Sequence, residues 1–474
     1  MMAKADLQPV IIGAGPAGIR AAEVLVKAGL RPLVLDEGLR AGGQIYRQPL
    51  IDDGRSYAKR YGSEASKAKA LHETFEALRP AIDYHPESLV WNISPSGDTR
   101  FLDVMSNGNY RRIECSELIV ASGATDRVLP FAGWTTPGVY TLGASQTALK
   151  AQGVTIGNKL VFLGSGPLLY LVAWQYMKAG AKVVTVLDTA PFKAKLHLAQ
   201  LALHAPRIVA LGMFYAMQLR LAGVKTVYNV RPDNIVGKDH VEGIRYHIQG
   251  KTGVKTLTCD ALAYGFALRP EAQLADLAGC AFEFNSRDRA WLPVRDAQGQ
   301  SSEQGIYLAG DGSGIAGADA AEISGELAAM ALLQKRGLAT DSKRITALQK
   351  AHQKIILERD LLEKAFPFPR DWFETVSPDV TLCRCEEVTV GEALNAISGG
   401  SIREINRLKA LSRVGMGRCQ GRMCTVAATE LLSSQLHIDA LELGRLRAQA
   451  PVKPVPLGFG VMQQADEPTG KVVS

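Results

Sequence analysis

Pro9-Val10-Ile11-Ile12-Gly13-Ala14-Gly15-Pro16-Ala17-Gly18-Ile19-Arg20-Ala21-Ala22 is the stretch on which the fold turns. An apolar run of strand formers meets glycines spaced G-x-G-x-x-G, and a helix rich in alanine and leucine, Ile19 to Ala28, follows. In this pattern Gly13 lets the chain turn, Gly15 lets a pyrophosphate approach the backbone, and Gly18 lets the helix pack closely on the strand. Pro16 and Ala17 stand where the helix opens, and free N–H groups at a helix start attract phosphate. The next apolar strand, Pro32 to Leu35, ends in Asp36 and Glu37. A carboxylate there accepts hydrogen bonds from ribose hydroxyls and argues against a 2′-phosphate. The expectation is an α/β dinucleotide-binding fold.

The pattern recurs. Lys159-Leu160-Val161-Phe162-Leu163 leads into Gly164-Ser165-Gly166-Pro167-Leu168-Leu169, and the following strand, Lys182 to Leu187, ends in Asp188. Gly164 and Gly166 keep the turn and the phosphate position, but Leu169 stands at the third glycine, so the helix must stand off the strand. NAD binding and a degenerate, differently used site both remain open.

FAD and NAD share this fingerprint, and further motifs separate them. Gly305-Ile306-Tyr307-Leu308-Ala309-Gly310-Asp311-Gly312 is a short strand delivering Gly-Asp, with a helix from about Ala318. It resembles the late Gly-Asp motif of the pyridine nucleotide-disulfide oxidoreductase superfamily, and the resemblance implies that Gly310 and Asp311 meet the ribityl chain of FAD. Leu118-Ile119-Val120-Ala121-Ser122-Gly123-Ala124 is similar to that superfamily's crossover between nucleotide domains. Tyr264-Gly265 with Leu268-Arg269-Pro270 resembles the return crossover, and Gly42-Gly43-Gln44 would line the flavin.

Near the C-terminus, Cys383, Cys385, Cys419 and Cys424 form a CxC and a CxxxxC. Cysteines paired on two short loops are a common way to hold an iron-sulfur cluster. Thr389 and Glu392 form a capping box opening a helix with Val390, Leu394 and Ile397, ended by Gly399-Gly400. Ser401 and Glu404 repeat the device for a second helix with Ile402, Ile405, Leu408 and Leu411. Thr425 to Leu432 reads as a third helix whose positive end faces the thiolates. Structural zinc is the rival, although zinc ribbons use CxxC pairs. With 7 cysteines in 474 residues, a disulfide framework is disfavoured. Cys115, Cys259 and Cys280 stand alone as small buried hydrophobes, and no CxxC is present.

Composition, at 47% hydrophobic and 21% charged, is that of a well-cored chain. The net charge of +7 is spread without a basic block, which speaks against nucleic acid. Met1 to Ala5 lead straight into the first strand, leaving no room for a signal peptide, so a cytoplasmic location is expected. His197 to Gly223 is the most apolar stretch, but His204, Pro206, Arg207, Gln218 and Arg220 interrupt it, so amphipathic helices covering a core or a partner are expected. The 8 histidines are scattered, and His85 reads as structural.

The nucleotide folds combined with Cys383-Arg384-Cys385-Glu386-Glu387 and Gly417-Arg418-Cys419-Gln420-Gly421-Arg422-Met423-Cys424 resemble a narrower family. These are the A or alpha subunits of bacterial FAD-dependent amine dehydrogenase complexes: the opine oxidase A subunit, the alpha subunits of dye-linked proline and D-hydroxyproline dehydrogenases, and the hydrogen cyanide synthase B subunit. The cluster module is similar to bacterioferritin-associated ferredoxin, which closes with CxxC where this chain has CxxxxC. The resemblance implies a 2Fe-2S cluster on the four cysteines, FAD with ATP as the alternative occupant of the Gly13 to Gly18 turn, and FMN at a subunit interface in some members. It implies a catalytic FAD-containing beta subunit, with a small ferredoxin-like gamma subunit beside it. It also implies a quinone or other acceptor, which would bring the complex to the inner face of the cell membrane. Electron transfer from amino-acid or opine oxidation is the expected function, with glycine oxidation to cyanide and a self-sufficient NAD(P)H oxidoreductase as alternatives. Arg384, Arg418 and Arg422 are candidates to offset cluster charge.

The expected organisation is an FAD-binding domain over 1–150 and 266–335, a second nucleotide domain over 151–265, a helical linker over 336–376, a 2Fe-2S module over 377–435 and an extended tail over 436–474.

Overall fold

The computed structural model describes residues 7–400 and 402–456. Two parallel five-stranded sheets form its frame. In the first, the order is Ile306–Leu308, Leu118–Val120, Val10–Ile12, Leu33–Leu35, Asp83–His85. The strand residues of Val10–Ile12 and its neighbours are buried on both faces, as parallel strands covered by helices must be. The helix Pro16–Lys27 opens with proline at its first position and lies against Ala318–Lys335. Small residues let these helices meet closely. A Cβ added at Gly325 would sit 2.0 Å from the Ala17 carbonyl oxygen.

The second sheet runs Lys225–Tyr228, Lys182–Asp188, Lys159–Ser165, Ala261–Phe266, Val139–Thr141, again parallel. Val139–Thr141 and the helix Leu142–Lys150 belong to this unit. The boundary expected at 150 therefore moves back toward the crossover, because pairing with Leu262–Tyr264 is a contact that no local pattern announces. Each sheet carries a three-stranded antiparallel meander, Ser88–Cys115 on the first and Val230–Thr258 on the second. The two crossovers pair with each other, Ala124–Asp126 antiparallel to Leu268–Pro270.

Ser342–Ala365 is a helix capped by Asp341, whose carboxylate accepts from the Lys343 and Arg344 N–H groups. Its Ile345 and Leu348 pack on Leu327, and its Leu361 packs on Leu201 and Ala205, so it spans both units. The cysteine module follows and shares one continuous core with the second sheet and its meander, from Val161 and Leu187 through Trp372 to Leu432. Trp372 is a fully buried anchor: its indole N–H donates to the Pro130 carbonyl at 2.7 Å and its ring stacks edge-on against Phe266.

The capping box at Thr389 and Glu392 forms as the sequence indicates. Ser401 lies outside the described residues, and the next helix is Ile405–Ser412, capped by Glu404. Over 437–456 the chain runs without helix or strand, as a tail, but it packs inward where a surface course was expected, and 457–474 lie outside the described residues. Leu443 and Val452 are buried, the Trp291 indole donates to the Gly444 carbonyl, and the Val452 N–H donates to the Trp91 carbonyl. Apolar side chains at these positions draw the segment inward.

Candidate flavin and iron-sulfur sites

At the first nucleotide turn, Gly13 has φ +102° and a Cβ there would lie 2.3 Å from the Ala121 carbonyl oxygen. A Cβ at Gly18 would lie 1.8 Å from the Gly13 carbonyl oxygen, so strand and helix touch only because both residues are glycine. Gly15 precedes the helix, and no side chain caps its N-terminus. Pro16 and Ala17 open that helix. Gly42 donates its N–H to the Ala14 carbonyl, and Gly43 packs against Gly15, which brings the two glycine turns face to face. Gln44 is exposed and accepts from Arg47.

Asp36 accepts from the Ala14 N–H through one oxygen and from the Gly38 N–H, at 2.6 Å, through the other. Burial raises its pKa against the pull of those amides. Its oxygens keep lone pairs for a ribose. Glu37 pairs with Lys453 of the C-terminal segment. Asp311 accepts from the Ala316 and Gly317 N–H groups, each at 2.9 Å, through one oxygen, ahead of a helix start that no side chain caps. Burial pushes its carboxyl upward as well. Gly310 turns at φ +70° and donates to Ser324. An uncapped helix start beside one carboxylate, with a second carboxylate across the sheet, is a donor set that fits a dinucleotide.

The second turn keeps Gly164 and Gly166, both at positive φ. Asp188, however, is fully buried and already occupied. It accepts from the Tyr170 hydroxyl at 2.7 Å and the Ala190 N–H at 2.9 Å, and it pairs with Lys195 at 2.9 Å. Lys195 also donates to the Ala365 carbonyl and lies over the Phe366 ring, so the end of the long helix closes this corner. Leu169 is fully buried in the core beneath.

In the cysteine module, Cys383 ends the strand Thr381–Cys383, Cys385 lies in the turn after it, and Cys424 immediately precedes the helix Thr425–Leu436. The four thiols converge: Cys383 hydrogen-bonds Cys424, Cys385 hydrogen-bonds Cys419, and Cys424 also lies within electrostatic reach of Cys385 and Cys419. The Cys424 thiol and, after it, the Gly415, Glu386 and Cys385 amides hold Cys383 down to about 6, so this thiol is the readily ionised member of its pair. Burial pushes Cys419 up. A Cβ at Gly417 would stand 2.4 Å from the Cys385 Cβ, so the two cysteine loops close on each other only with glycine there. Among the described residues no three His, Cys, Asp or Glu side chains close on a single ion. Four thiols brought together on two short loops are the ligand set that a two-iron centre takes.

The two sites are bonded to each other. The Ser122 hydroxyl donates to the Glu271 carbonyl at 2.5 Å, and the Glu271 carboxylate takes the Arg422 guanidinium at 2.7 and 3.1 Å. Arg269 donates to the Arg422 carbonyl and Gln273 to the Gln420 carbonyl. Burial would raise the Glu271 carboxyl, but Arg269 and Arg422 hold it below its ordinary value. Arg422 is thus part of an internal pair, while Arg384 and Arg418 are exposed. Glu271 stands one position beyond the Leu268-Arg269-Pro270 motif, and its pairing across the fold leaves no local signal.

Residues 7–334 match the pyridine nucleotide-disulphide oxidoreductase family, and residues 381–434 match the BFD-like [2Fe-2S] binding domain. The opine oxidase A subunit of Rhizobium meliloti is 37% identical over 94% of this chain and 86% of that protein. The HcnB subunit of hydrogen cyanide synthase from Pseudomonas aeruginosa is 32% identical over 95% of this chain and 97% of that protein. Among solved structures, L-proline dehydrogenase from P. horikoshii has the same fold, with TM-score 0.71 and 21% identity over 96% of this chain and 79% of that one. The motifs and these similarities agree: the chain belongs to the pyridine nucleotide-disulphide oxidoreductases, in the group of the opine oxidase A subunit and HcnB, and is an FAD-dependent oxidoreductase with a 2Fe-2S module.

Proposed function

We propose that this chain is the electron-passing subunit of a multi-subunit amino-acid or opine dehydrogenase. It takes electrons from a catalytic FAD-containing beta subunit and delivers them to a quinone or another respiratory acceptor. The observation that carries this reading is the bonded path from Ser122 through Glu271 to Arg422 and the Cys419 loop, which joins the two candidate sites. When bound, flavin would exchange electrons in pairs and the cluster would pass them singly.

The residues have separable tasks. Gly13, Gly15 and Gly18 with Asp36 hold the nucleotide, FAD in this reading and ATP by the same turn in the alternative. Gly310 and Asp311 meet the flavin side, with Ala121, Ser122, Gly123, Gly42, Gly43 and Gln44 around it. Cys383, Cys385, Cys419 and Cys424 hold the cluster. The lone Cys115 and Cys259 are pushed up to about 12 by burial, which suits thiols with no redox part. The occupied Asp188 weighs against NAD at Gly164 and Gly166. An FMN at the interface between subunits, together with a small ferredoxin-like partner, completes the proposed assembly.

The test is the complex purified anaerobically with its partner subunits and supplied in turn with proline, hydroxyproline, an opine and glycine. Cys419→Ser should abolish the cluster EPR signal and transfer to the acceptor while leaving bound flavin. Rapid flavin bleaching of this chain by NADH alone would overturn the relay in favour of a self-sufficient reductase.

A further inference from the structure

Lys150 closes the helix Leu142–Lys150 of the second unit, but its side chain reaches into the first. It is 4% exposed, and among the described residues no carboxylate pairs with it; Glu64 acts on it only at a distance. Its ammonium donates instead to the Ile45 carbonyl at 3.0 Å. Burying a charge without a paired counter-ion is costly, and an apolar side chain of similar length would fill the space without that cost. Packing alone does not account for the charge.

Ile45 lies in a segment, 36–56, that forms neither helix nor strand, so its course is set by what its carbonyls meet. The Tyr46 carbonyl accepts from His72 Nε2 at 2.9 Å, which leaves His72 Nδ1 to accept from the Tyr57 hydroxyl at 3.1 Å. The Arg47 carbonyl accepts from the Tyr61 hydroxyl at 3.0 Å. Those donors come from the first unit, whereas Lys150 comes from the second. Lys150 is itself held: Arg60 donates to its carbonyl at 2.7 Å, and the Leu50 N–H donates to the next carbonyl, of Ala151, at 2.9 Å. Just ahead of Ile45, Gly42 donates to Ala14 and Gly43 packs on Gly15, so the segment that Lys150 fixes is one wall of the first nucleotide turn.

We propose that Lys150 is a positioning residue for the nucleotide of the first site: its ammonium, acting through the Ile45 carbonyl, holds the Gly42-Gly43-Gln44 wall against the phosphate turn. A charged donor makes a hydrogen bond about twice as strong as a neutral one, so the amine left after deprotonation holds the wall more loosely. Burial lowers the Lys150 ammonium to about 8, which brings that loss within an accessible pH range. Affinity is therefore full below about pH 8 and falls as pH rises through it. The titratable groups on the elements packed around Lys150 are Tyr46, Asp53, Arg60, Tyr61, Glu64 and His72. Burial lowers His72 and raises Tyr46 and Tyr61, away from that window on either side. Carboxylates and guanidinium groups do not titrate between roughly pH 7 and 9.

The proposal rests on the nucleotide reading of the first site. Equilibrium dialysis of the full chain against FAD, and separately against ATP, from about pH 7 to about pH 9 tests it. Lys150→Met should weaken binding about tenfold at the lower pH, the worth of one hydrogen bond from a charged group, and its affinity should then be level with pH. The parent should lose about threefold over the same range. A methionine chain that binds as tightly as the parent would overturn the proposal, as would one that is weaker but keeps the parent's decline, because the titrating group would lie elsewhere. Should the methionine chain fail to fold, the parent decides by itself: affinity level across the range would overturn the proposal. A parent that binds neither nucleotide would remove the reading of the site along with it.

Discussion

Glu271 is a buried acid between two arginines, and its value lies in being charged. Replacing it by glutamine keeps its shape but leaves Arg269 and Arg422 without their counter-charge. Breaking a buried pair from one side costs about 3–5 kcal/mol. Urea unfolding of Glu271→Gln should show that loss, and cluster EPR should show whether the Cys419 loop loosens with it. His352, by contrast, is held neutral. It lines a cavity of about 310 Å³ beside Ser313 and Gly314, and burial, then Arg295 and Arg287, lower its pKa from 6.5 to about 4. The unfolded chain therefore binds the proton first, and stability falls as pH drops from about 6.5 to about 4. Thermal melts across that range should show a shallower decline for His352→Gln. A decline identical to the parent's would place the titration elsewhere.

Among the elements, the helix Val390–Gly399 was legible because its signals are local. Thr389 and Glu392 are three residues apart, and each bonds the other's backbone N–H. Thr389→Ala should cost about 1 kcal/mol of module stability, measured as an earlier loss of cluster absorbance on heating. The turns at Gly13 and Gly164 were legible for the same reason, since strand, glycine and helix follow within a few residues. The helix over Ile405–Ser412 starts later than its sequence suggests because Glu404, a residue expected to complete a capping box, is itself the cap. At the second turn the sequence pattern left two readings open. What favours one is the company of Asp188, which comes from Tyr170 and Lys195, both packed against the distant Phe366.

At the scale of the whole molecule, the cluster module is fused to the second sheet by a shared core. Trp372 is the joint. Trp372→Ala should cost about 3–5 kcal/mol, the usual range for a buried aromatic. The unfolding transitions of flavin and cluster, which the shared core should make coincident in the parent, should then separate. Transitions that stay together would mean that the Glu271 and Arg422 contact alone couples the module to the flavin side.

The family, the α/β class and the existence of both cofactor-binding patterns were determined by the sequence alone. Turns, caps and close glycine contacts are written in residues a few positions apart. Tertiary structure decided what depends on distant pairing: Val139–Thr141 in the second sheet, the inward course of residues 437–456, the occupied Asp188, and the link from Ser122 through Glu271 to Arg422. Such contacts follow from burying apolar surface and pairing buried charge across the whole chain, and neither leaves a periodic trace in the sequence.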